Sequence, residues 1–555
     1  MTKTDELVFL PLGGVGEIGM NLALYGFGPP KNREWIMVDC GVTFPGPDLP
    51  GVDLVLPDIR FVLSQKNRLK AIFITHAHED HYGGLNDIWP GLNVPVYASG
   101  FTAGMLEAKR NYEGTRAEIP VTPFKPGDKV HVGPFVVEAS DVNHSIPEPM
   151  SLIIRTPLGN VIHTGDWKID HAPSLGPLTD EARFRALGDE GVLAVMCDST
   201  NAMREGISPS EQEVSEGLRK IIQTAEGRVA ITTFSSNVGR IRSIAKAAEA
   251  AGREVLLLGS SLKRVVGVAR DVGLMEGVQP FIAEDEYGYI PRDKVVVILT
   301  GSQGESRAAL AKLSRDEMRN VALTKGDTVV FSSRAIPGNE KPINDIKNGL
   351  IEQGVTIVTD SDALVHVSGH PRRNELLQMY QWTRPQILVP VHGEAAHLTA
   401  QQKLALEAGI AQVPKVRNGD ILRLAPGPAE VIGEAPYGRV FKDGKLLGDF
   451  EQMGIGERRK LSFAGHVSVS VLLDERFEFR DDPEVVAHGL PAEDLEGDDM
   501  EDILYDAVLS AVESIPRTRR KDLGALRESI RRAVRSTANE CWGKKPVVTV
   551  FVTKV

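Results

Sequence analysis

Thiols are almost missing from this chain: 555 residues contain three cysteines, Cys40, Cys197 and Cys541, far apart and without a Cys-x-x-Cys spacing. An odd, scattered set excludes a disulfide framework and a thiolate metal site, and leads us to expect a reducing, cytoplasmic setting. Long apolar runs are lacking too. None approaches the roughly 18 residues of a membrane span, so no membrane association is expected. The start, Met-Thr-Lys-Thr-Asp-Glu-Leu, has no basic-then-apolar pattern, so no secretory leader is expected. No internal repeat is visible. The remaining composition, 42% apolar and 25% charged, is that of a globular protein. Its length allows about three or four domains at ~150 residues each.

Net positive charge is also absent, at −12 overall. Between Asp474 and Asp506, however, fourteen Asp or Glu stand against two Arg, and this window alone carries the whole imbalance. The other residues are neutral in sum and free to form a basic channel, so acidity does not exclude RNA. The acidic window itself reads as a solvated loop.

Against these absences stands one dense cluster. Thr-His-Ala-His-Glu-Asp-His places His76, His78, Asp80 and His81 within six residues. Imidazole nitrogen and carboxylate oxygen are the donors that a borderline cation such as Zn²⁺ takes in the absence of thiolate. The preceding 69–75 stretch is apolar and β-branched, a buried strand, so the cluster lies at a strand's carboxyl end, where α/β sheets place their sites. A His-x-His pair alone reads as a solvated face; Asp-His directly behind it points to metal.

Short β-rich stretches fill the first two hundred residues, at 7–12, 21–25, 35–38, 94–98, 135–139, 151–155, 161–163 and 192–196. Pro95 suggests an edge strand for the fourth. Helical patterns are sparse there, the clearest at 100–112. From about residue 211 helices and strands alternate: helices at 213–224, 238–251, 263–272, 306–312 and 343–353, strands at 228–234, 254–258, 295–300 and 328–332. This is the texture of a parallel sheet. Strand-rich patterning like that of the first two hundred residues returns at 386–390 and 420–424, so the alternating segment reads as an insertion. Residues 425–456 read as a connecting segment. A small α/β unit follows: strand 467–473, helices 503–513 and 522–538, strand 547–552. Gly14-Val15-Gly16-Glu17-Ile18-Gly19 matches a dinucleotide fingerprint, but a short alternating stretch ended by Gly26 follows where that fingerprint needs a helix. The glycines are read as a tight turn.

Two-metal hydrolysis needs further ligands and a bridging carboxylate. His144, Asp166 and His392 each follow a strand, beside Gly, Ser or Pro. The natural partition sets His76, His78 and His144 on one metal, and Asp80, His81 and His392 on the other, with Asp166 bridging. Asp39, ending 35–38, reads as a carboxylate that orients a ligand imidazole.

His-Ala-His-Glu-Asp-His with His144, Asp166 and His392 in that order resembles the metallo-β-lactamase superfamily, and the insertion between Asp198 and His370 resembles its β-CASP group. The strings Pro11-Leu12-Gly13-Gly14-Val15-Gly16-Glu17-Ile18-Gly19-Met20-Asn21, Cys197-Asp198-Ser199-Thr200-Asn201, Thr300-Gly301-Ser302-Gln303-Gly304-Glu305, Ile336-Pro337-Gly338-Asn339-Glu340, His366-Val367-Ser368-Gly369-His370 and Pro390-Val391-His392-Gly393-Glu394 resemble the ribonuclease J family over nearly the whole chain. The resemblance implies an α/β fold: a metallo-β-lactamase αββα sandwich (1–208 and 366–430), an inserted β-CASP domain (209–365), a linker (431–456) and a small C-terminal α/β domain (457–555). It implies a ribonuclease using two Zn²⁺ per subunit, with Mn²⁺ or Mg²⁺ as alternatives, that attacks the phosphodiester with hydroxide. The expected activity is 5′→3′ exonuclease on single-stranded RNA with a 5′-monophosphate, with internal cutting, in RNA maturation and decay. A thioesterase or lactonase, and a non-catalytic RNA-binding paralogue, are the competing readings. The catalytic set it implies is Asp80, Asp198, which supports the site, and His370, which contacts the scissile phosphate or protonates the leaving oxygen. RNA-phosphate contacts fall to Ser235, Ser236 and Asn237 and to His366, Val367, Ser368, Gly369 and His370. Ser235 to Asn237 on their own read as a helix N-cap.

The chain departs from the pattern at Gly239, where many relatives carry His, so one RNA contact is expected to be missing or taken over by Arg240. Pro371 replaces a commoner small residue. A structural Ca²⁺ near Asp48 and Asp443, known in some relatives, is left open. Eight cations from Arg517 to Arg535 read as a solvated face, or as a surface for subunit association or RNA. A homodimer or homotetramer is expected, and membership of a larger RNA-degrading assembly is left open.

Overall fold

The computed structural model describes residues 5–114, 118–336 and 338–555; Pro337, within the 336–340 string, and the first four residues lie outside them. The chain divides into two compact units, one running to Thr43 and again over Leu56–Gly438, the other over Phe44–Val55 and Arg439–Val555.

In the first unit, alternation along the strands builds two facing sheets. Leu152 and Ile154 point one way into a core with Phe9, Phe73, Val137 and Val161, while Ile153 between them packs the other way with Phe184, Trp382 and Leu404. A strand buried on both faces needs apolar residues at successive positions, as Leu152, Ile153 and Ile154 provide within Met150–Thr156. The first sheet has eight strands, with Glu6–Gly13, Leu22–Gly28, Glu34–Val38 and Leu69–Phe73 side by side near its middle. The second has six, from Ile387–Val391 through Ala194–Asp198, Gly159–His163, Met150–Thr156 and Phe135–Asp141 to Lys129–Val132. Helices Glu181–Glu190, Arg373–Thr383 and Ala395–Glu407 supply the outer packing of the second sheet. Thr164 N–H donates to Met196 O (3.0 Å) and Ser199 N–H to Val391 O (3.0 Å), so neighbouring parallel strands end level with one another.

The inserted segment forms a five-stranded parallel sheet in the order Glu254–Leu258, Val295–Leu299, Val229–Thr232, Thr328–Phe331, Thr356–Val358. Helix Val238–Ala250 starts at Asn237, whose side chain accepts from Arg240 N–H.

In the second unit, Glu484–His488, His466–Leu473 and Val547–Lys554 form a sheet with helices Met500–Glu513 and Leu523–Trp542 on one face, closing a core of Val467, Val469, Val471, Leu504, Val508 and Ile530. Arg458 engages Asp443, and Arg459 holds Asp48 at 3.0 Å, so both acids postulated for Ca²⁺ already have a guanidinium counter-charge.

Several expectations need correction. Pro95 does not mark an edge: Val96–Ala98 lies between Leu69–Phe73 and Val121–Pro123, and Pro95 precedes the strand, where its carbonyl accepts from Ile72 N–H. The 425–456 stretch is no simple connector, since it carries strands Glu430–Glu434, Arg439–Asp443 and Leu446–Gly448. The acidic window hides the strand Glu484–His488, whose Val485 and Ala487 pack on the core while Glu484, Val486 and His488 face outward. Nor are all eight carboxy-terminal cations solvated: Arg520 is buried and donates to Ile515 O and Phe477 O. Among described residues no helix is long and apolar enough to cross a membrane.

Candidate metal centre

Strand ends from both sheets deliver the donors. Asp39 follows Glu34–Val38, His76 follows Leu69–Phe73, Asp166 follows Gly159–His163, Asp198 ends its strand and His392 follows Ile387–Val391. The backbone turns sharply at two of them, with φ of 61° at Asp39 and 52° at His392, left-handed values uncommon outside glycine and clustered at functional sites. His392 N–H is held by Gly14 O at 2.7 Å, so the glycine turn lies against the centre.

One atom of each of His76, His78, His144 and Asp166 lies within 4.8 Å of the others, and the same holds for Asp80, His81, Asp166 and His392. Asp166 Oδ2 belongs to both groups, 3.3 Å from His81 Nε2, 3.6 Å from His144 Nε2 and His392 Nε2, and 3.8 Å from His76 Nε2.

Whether a cation fits follows from where the ring protons go. Assigned from the hydrogen-bond network, the outward nitrogen of each ring donates to oxygen. His144 Nδ1 meets Gly369 O (2.8 Å), and His81 Nδ1 meets Asp39 Oδ2 (2.7 Å). Thr75 Oγ1 gives its proton to Asp39 and so accepts from His76 Nδ1 (3.0 Å). Thr200 Oγ1 gives its proton to Asp198 and accepts from His392 Nδ1 (2.8 Å). His78 turns Nε2 to Ser236 Oγ (3.0 Å). In the first group the inward nitrogens are then lone pairs, His76 Nε2 and His144 Nε2 each facing His78 Nδ1, at 3.1 and 3.0 Å; in the second, His392 Nε2 meets the Asp80 Oδ2 carboxylate oxygen at 3.2 Å, where a proton or a cation can sit. Acceptors in such contact repel unless a proton or a metal cation sits among them.

In the first group the titration behaviour agrees. Burial, joined by the neighbouring imidazoles, pushes His76 and His144 well below the usual histidine range and His78 down to about 4, so these rings carry no proton of their own to relieve the contact. In the other group burial pulls the same way, but Asp166, Asp80 and Asp198 outweigh it and push His392 up to about 9. Burial would raise the Asp166 carboxyl, yet His392, His81 and His370 hold it well below the ordinary range. The donor set fits metal.

The remaining predicted residues gather nearby. Asp198, fully buried, accepts from His370 Nδ1 at 2.7 Å. Ser236 reaches His78, Gly369 O reaches His144, and Asn201 Nδ2 ties Ser368 Oγ and His370 O (2.9 and 3.0 Å). Asn237 caps its helix through its side-chain oxygen, which accepts from Arg240 N–H. The expectation that Arg240 takes over a missing RNA contact is wrong. Its guanidinium is 1% exposed and is consumed by Glu211, Ser332 Oγ and Val365 O. A Cβ at Gly239 would stand 2.4 Å from Ser174 Oγ, so a side chain there requires that hydroxyl to turn away.

Sequence reasoning passed over Thr75, Thr200, Asn21 and Lys109. Asn21 Nδ2 donates to Asp80 O (3.0 Å), and buried Lys109 Nζ clasps Glu79 and Gly83 O (2.8 Å), fixing the short helix that presents Asp80 and His81. The only signal for Thr75 and Thr200 is their place beside a ligand or its carboxylate.

Gly369 gives a local test. A Cβ there would lie 2.5 Å from His144 Nδ1. We expect Gly369→Ala to weaken metal binding by about 10–100-fold, as loss of a ligand's outer hydrogen bond does. Competition with a chelating dye measures this, and an unchanged affinity would show that the loop yields instead.

Four family models match the chain: "Beta-lactamase superfamily domain" at 34–186, "Ribonuclease J, beta-CASP domain" at 226–350, "Zn-dependent metallo-hydrolase RNA specificity domain" at 354–414 and "Ribonuclease J C-terminal domain" at 453–555. The chain is 77% identical to ribonuclease J of Sinorhizobium meliloti, over all of this chain and 98% of that one. It is 35% identical to ribonuclease J of Corynebacterium glutamicum, over 97% and 74%, and 33% identical to that of Thermus thermophilus, over 99% and 95%. A crystal structure of a protein of unknown function from Enterococcus faecalis covers 75% of this chain and 100% of its own, with a TM-score of 0.52 at 17% identity, a likeness of fold alone.

Proposed function

The chain belongs to the ribonuclease J family and is a metal-dependent ribonuclease, and from that premise we propose that it degrades single-stranded RNA 5′→3′ from 5′-monophosphorylated ends and also cuts internally. The observation that carries the reading is Asp166 Oδ2, shared by two donor groups that together hold seven side chains.

His76, His78, His144 and Asp166 would hold one cation, and Asp80, His81, His392 and Asp166 the second. Nitrogen and oxygen donors without sulfur favour two Zn²⁺ per subunit, with Mn²⁺ as the alternative. When bound, such a pair supplies a nucleophile at neutral pH and neutralises charge on the phosphate oxygens. The protein's own part is to place the phosphate. Asp198 fixes the His370 ring through Nδ1, which leaves Nε2 to meet a phosphate oxygen or the leaving oxygen. Ser235, Ser236 and the 366–370 loop offer hydroxyl and backbone donors, which grip phosphate without reading bases and so suit successive cleavage of any sequence.

We read the domain division as 1–208 with 366–430 for the catalytic sandwich, 209–365 for the β-CASP insertion and 457–555 for the C-terminal domain. A cytoplasmic place in RNA maturation and decay follows the same reading, as does a homo-oligomer. Light scattering returning a monomer mass would refute the last.

The decisive experiment digests 5′-monophosphorylated and 5′-triphosphorylated copies of one RNA, with and without chelator. Mononucleotides are expected from the first copy, much less from the second, and nothing once metal is withdrawn. Equal rates on both copies, or oligonucleotide products alone, would sink the exonuclease reading.

A further inference from the structure

Near the 366–370 loop three segments carry arginines, two of which lie within electrostatic reach of the third. The segment after Asp198 carries Arg204, the segment after Thr328–Phe331 carries Arg334, and the segment after His370 carries Arg372. The first and third run side by side: Asn201 ties Ser368 and His370, and Arg373 N–H donates to Arg204 O at 3.0 Å. Arg334 O accepts from Gln303 Nε2 at 3.0 Å, and the charge of its guanidinium is felt at Arg204.

The charges of this group do not balance. Arg334 pairs with Asp360 at 3.1 Å. Among the described residues neither Arg204 nor Arg372 has a carboxylate at ion-pair distance, and Arg372 Nε is buried without a hydrogen-bond partner. Adjacent Arg373 differs: Glu205 (3.1 Å) and Glu407 (3.7 Å) neutralise it. Burial, then the like charges of Arg334 and Arg372, hold the Arg204 guanidinium below its ordinary range. His366 on the same loop has Nδ1 buried and unpartnered. Like charges held together with open donors are costly unless an anion completes the set.

We propose that Arg204, Arg334 and Arg372 form a phosphate subsite that takes a backbone phosphate of single-stranded RNA one or two nucleotides along from the one at His370. Arg372 stands two positions after His370, with only Pro371 between, at most about 7 Å of backbone, so the subsite abuts the cleavage position. The guanidinium fork matches phosphate oxygens in pairs, and its charge makes the grip salt-dependent. The assignment rests on the ribonuclease reading above.

The test uses the full-length, metal-loaded protein as wild type, Arg204→Gln, Arg372→Gln and the double variant, with Arg373→Gln as the control whose charge is already paired. Substrates are a 5′-monophosphorylated decanucleotide and a dinucleotide too short to reach the subsite. In the double variant KM for the decanucleotide should rise about tenfold, the size of one charge-assisted hydrogen bond removed, while kcat stays within about twofold. The slope of log(kcat/KM) against log salt should flatten by about 0.7 for each phosphate no longer neutralised. Arg204→Lys with Arg372→Lys should restore most of the slope, and the dinucleotide and Arg373→Gln should match wild type. An unchanged KM and slope in the double variant, with wild type still degrading RNA, would overturn the subsite and leave the function standing. Equal losses on both substrates would also overturn it, by placing the arginines at the cleaved phosphate or in the fold. A wild type that turns over no RNA would instead refute the ribonuclease reading.

Discussion

Asp166→Ala is expected to lower RNA turnover by about a thousandfold or more and to weaken metal binding at both positions. The geometry sets this residue apart from the other donors. Its Oδ2 stands 3.3–3.8 Å from four imidazole nitrogens drawn from both groups, and its side chain is 2% exposed. Removing it leaves facing lone pairs with no anion between them, so a cation held there loses charge compensation as well as a ligand. Asp80 is the informative comparison. It belongs to one group only, alongside His81 and His392, so Asp80→Ala should empty that position and spare the one built on His76, His78 and His144. Elemental analysis of the purified variants, set beside RNA turnover, separates the two. An Asp166→Ala protein with wild-type metal content and rate would sink the two-metal reading altogether.

Legibility of the site follows how each residue makes its contacts. His76, His78, Asp80 and His81 are readable because spacing and donor chemistry coincide in six residues. His144, Asp166 and His392 are scattered and share only a position after a strand, a pattern that becomes visible once the strands are drawn. Asp39 is readable by the same rule, and its bond to His81 shows why the strand Glu34–Val38 must end level with Leu69–Phe73. Thr75 and Thr200 escape, since a hydroxyl that bridges a carboxylate and an imidazole has no periodicity. Lys109 escapes because a lysine on a helix ordinarily points to water, and only the packed structure shows it closing on Glu79 and Gly83. In the fold, periodicity succeeds where one face or both faces are buried and fails where charge obscures it. Glu484–His488 alternates as a strand should, yet lies within fourteen acidic residues.

Arg240 stands at the opposite extreme, a charge that reads as a free RNA contact and is none. We expect Arg240→Met to destabilise the inserted domain by about 3–5 kcal/mol, the cost of stranding one partner of a buried ion pair. Its Nε and Nη2 each lie 2.9 Å from a Glu211 oxygen, and Nη1 meets Ser332 Oγ at 2.6 Å and Val365 O at 3.2 Å. One guanidinium therefore joins helix Glu211–Thr224, helix Val238–Ala250, the end of strand Thr328–Phe331 and the segment leading to the 366–370 loop. Methionine keeps much of the volume but strands the Glu211 carboxylate in a buried place. Adding Glu211→Met removes that charge and should recover part of the loss, whereas a purely steric role would show no recovery. The chain has more than one domain, so a single unfolding midpoint would blend them. Hydrogen exchange of the amides in Val238–Ala250 reads the local loss instead. The salt dependence of RNA turnover should keep its slope, because a guanidinium enclosed by protein has no phosphate to release. A flattened slope with undiminished protection of that helix would return Arg240 to the RNA-binding surface.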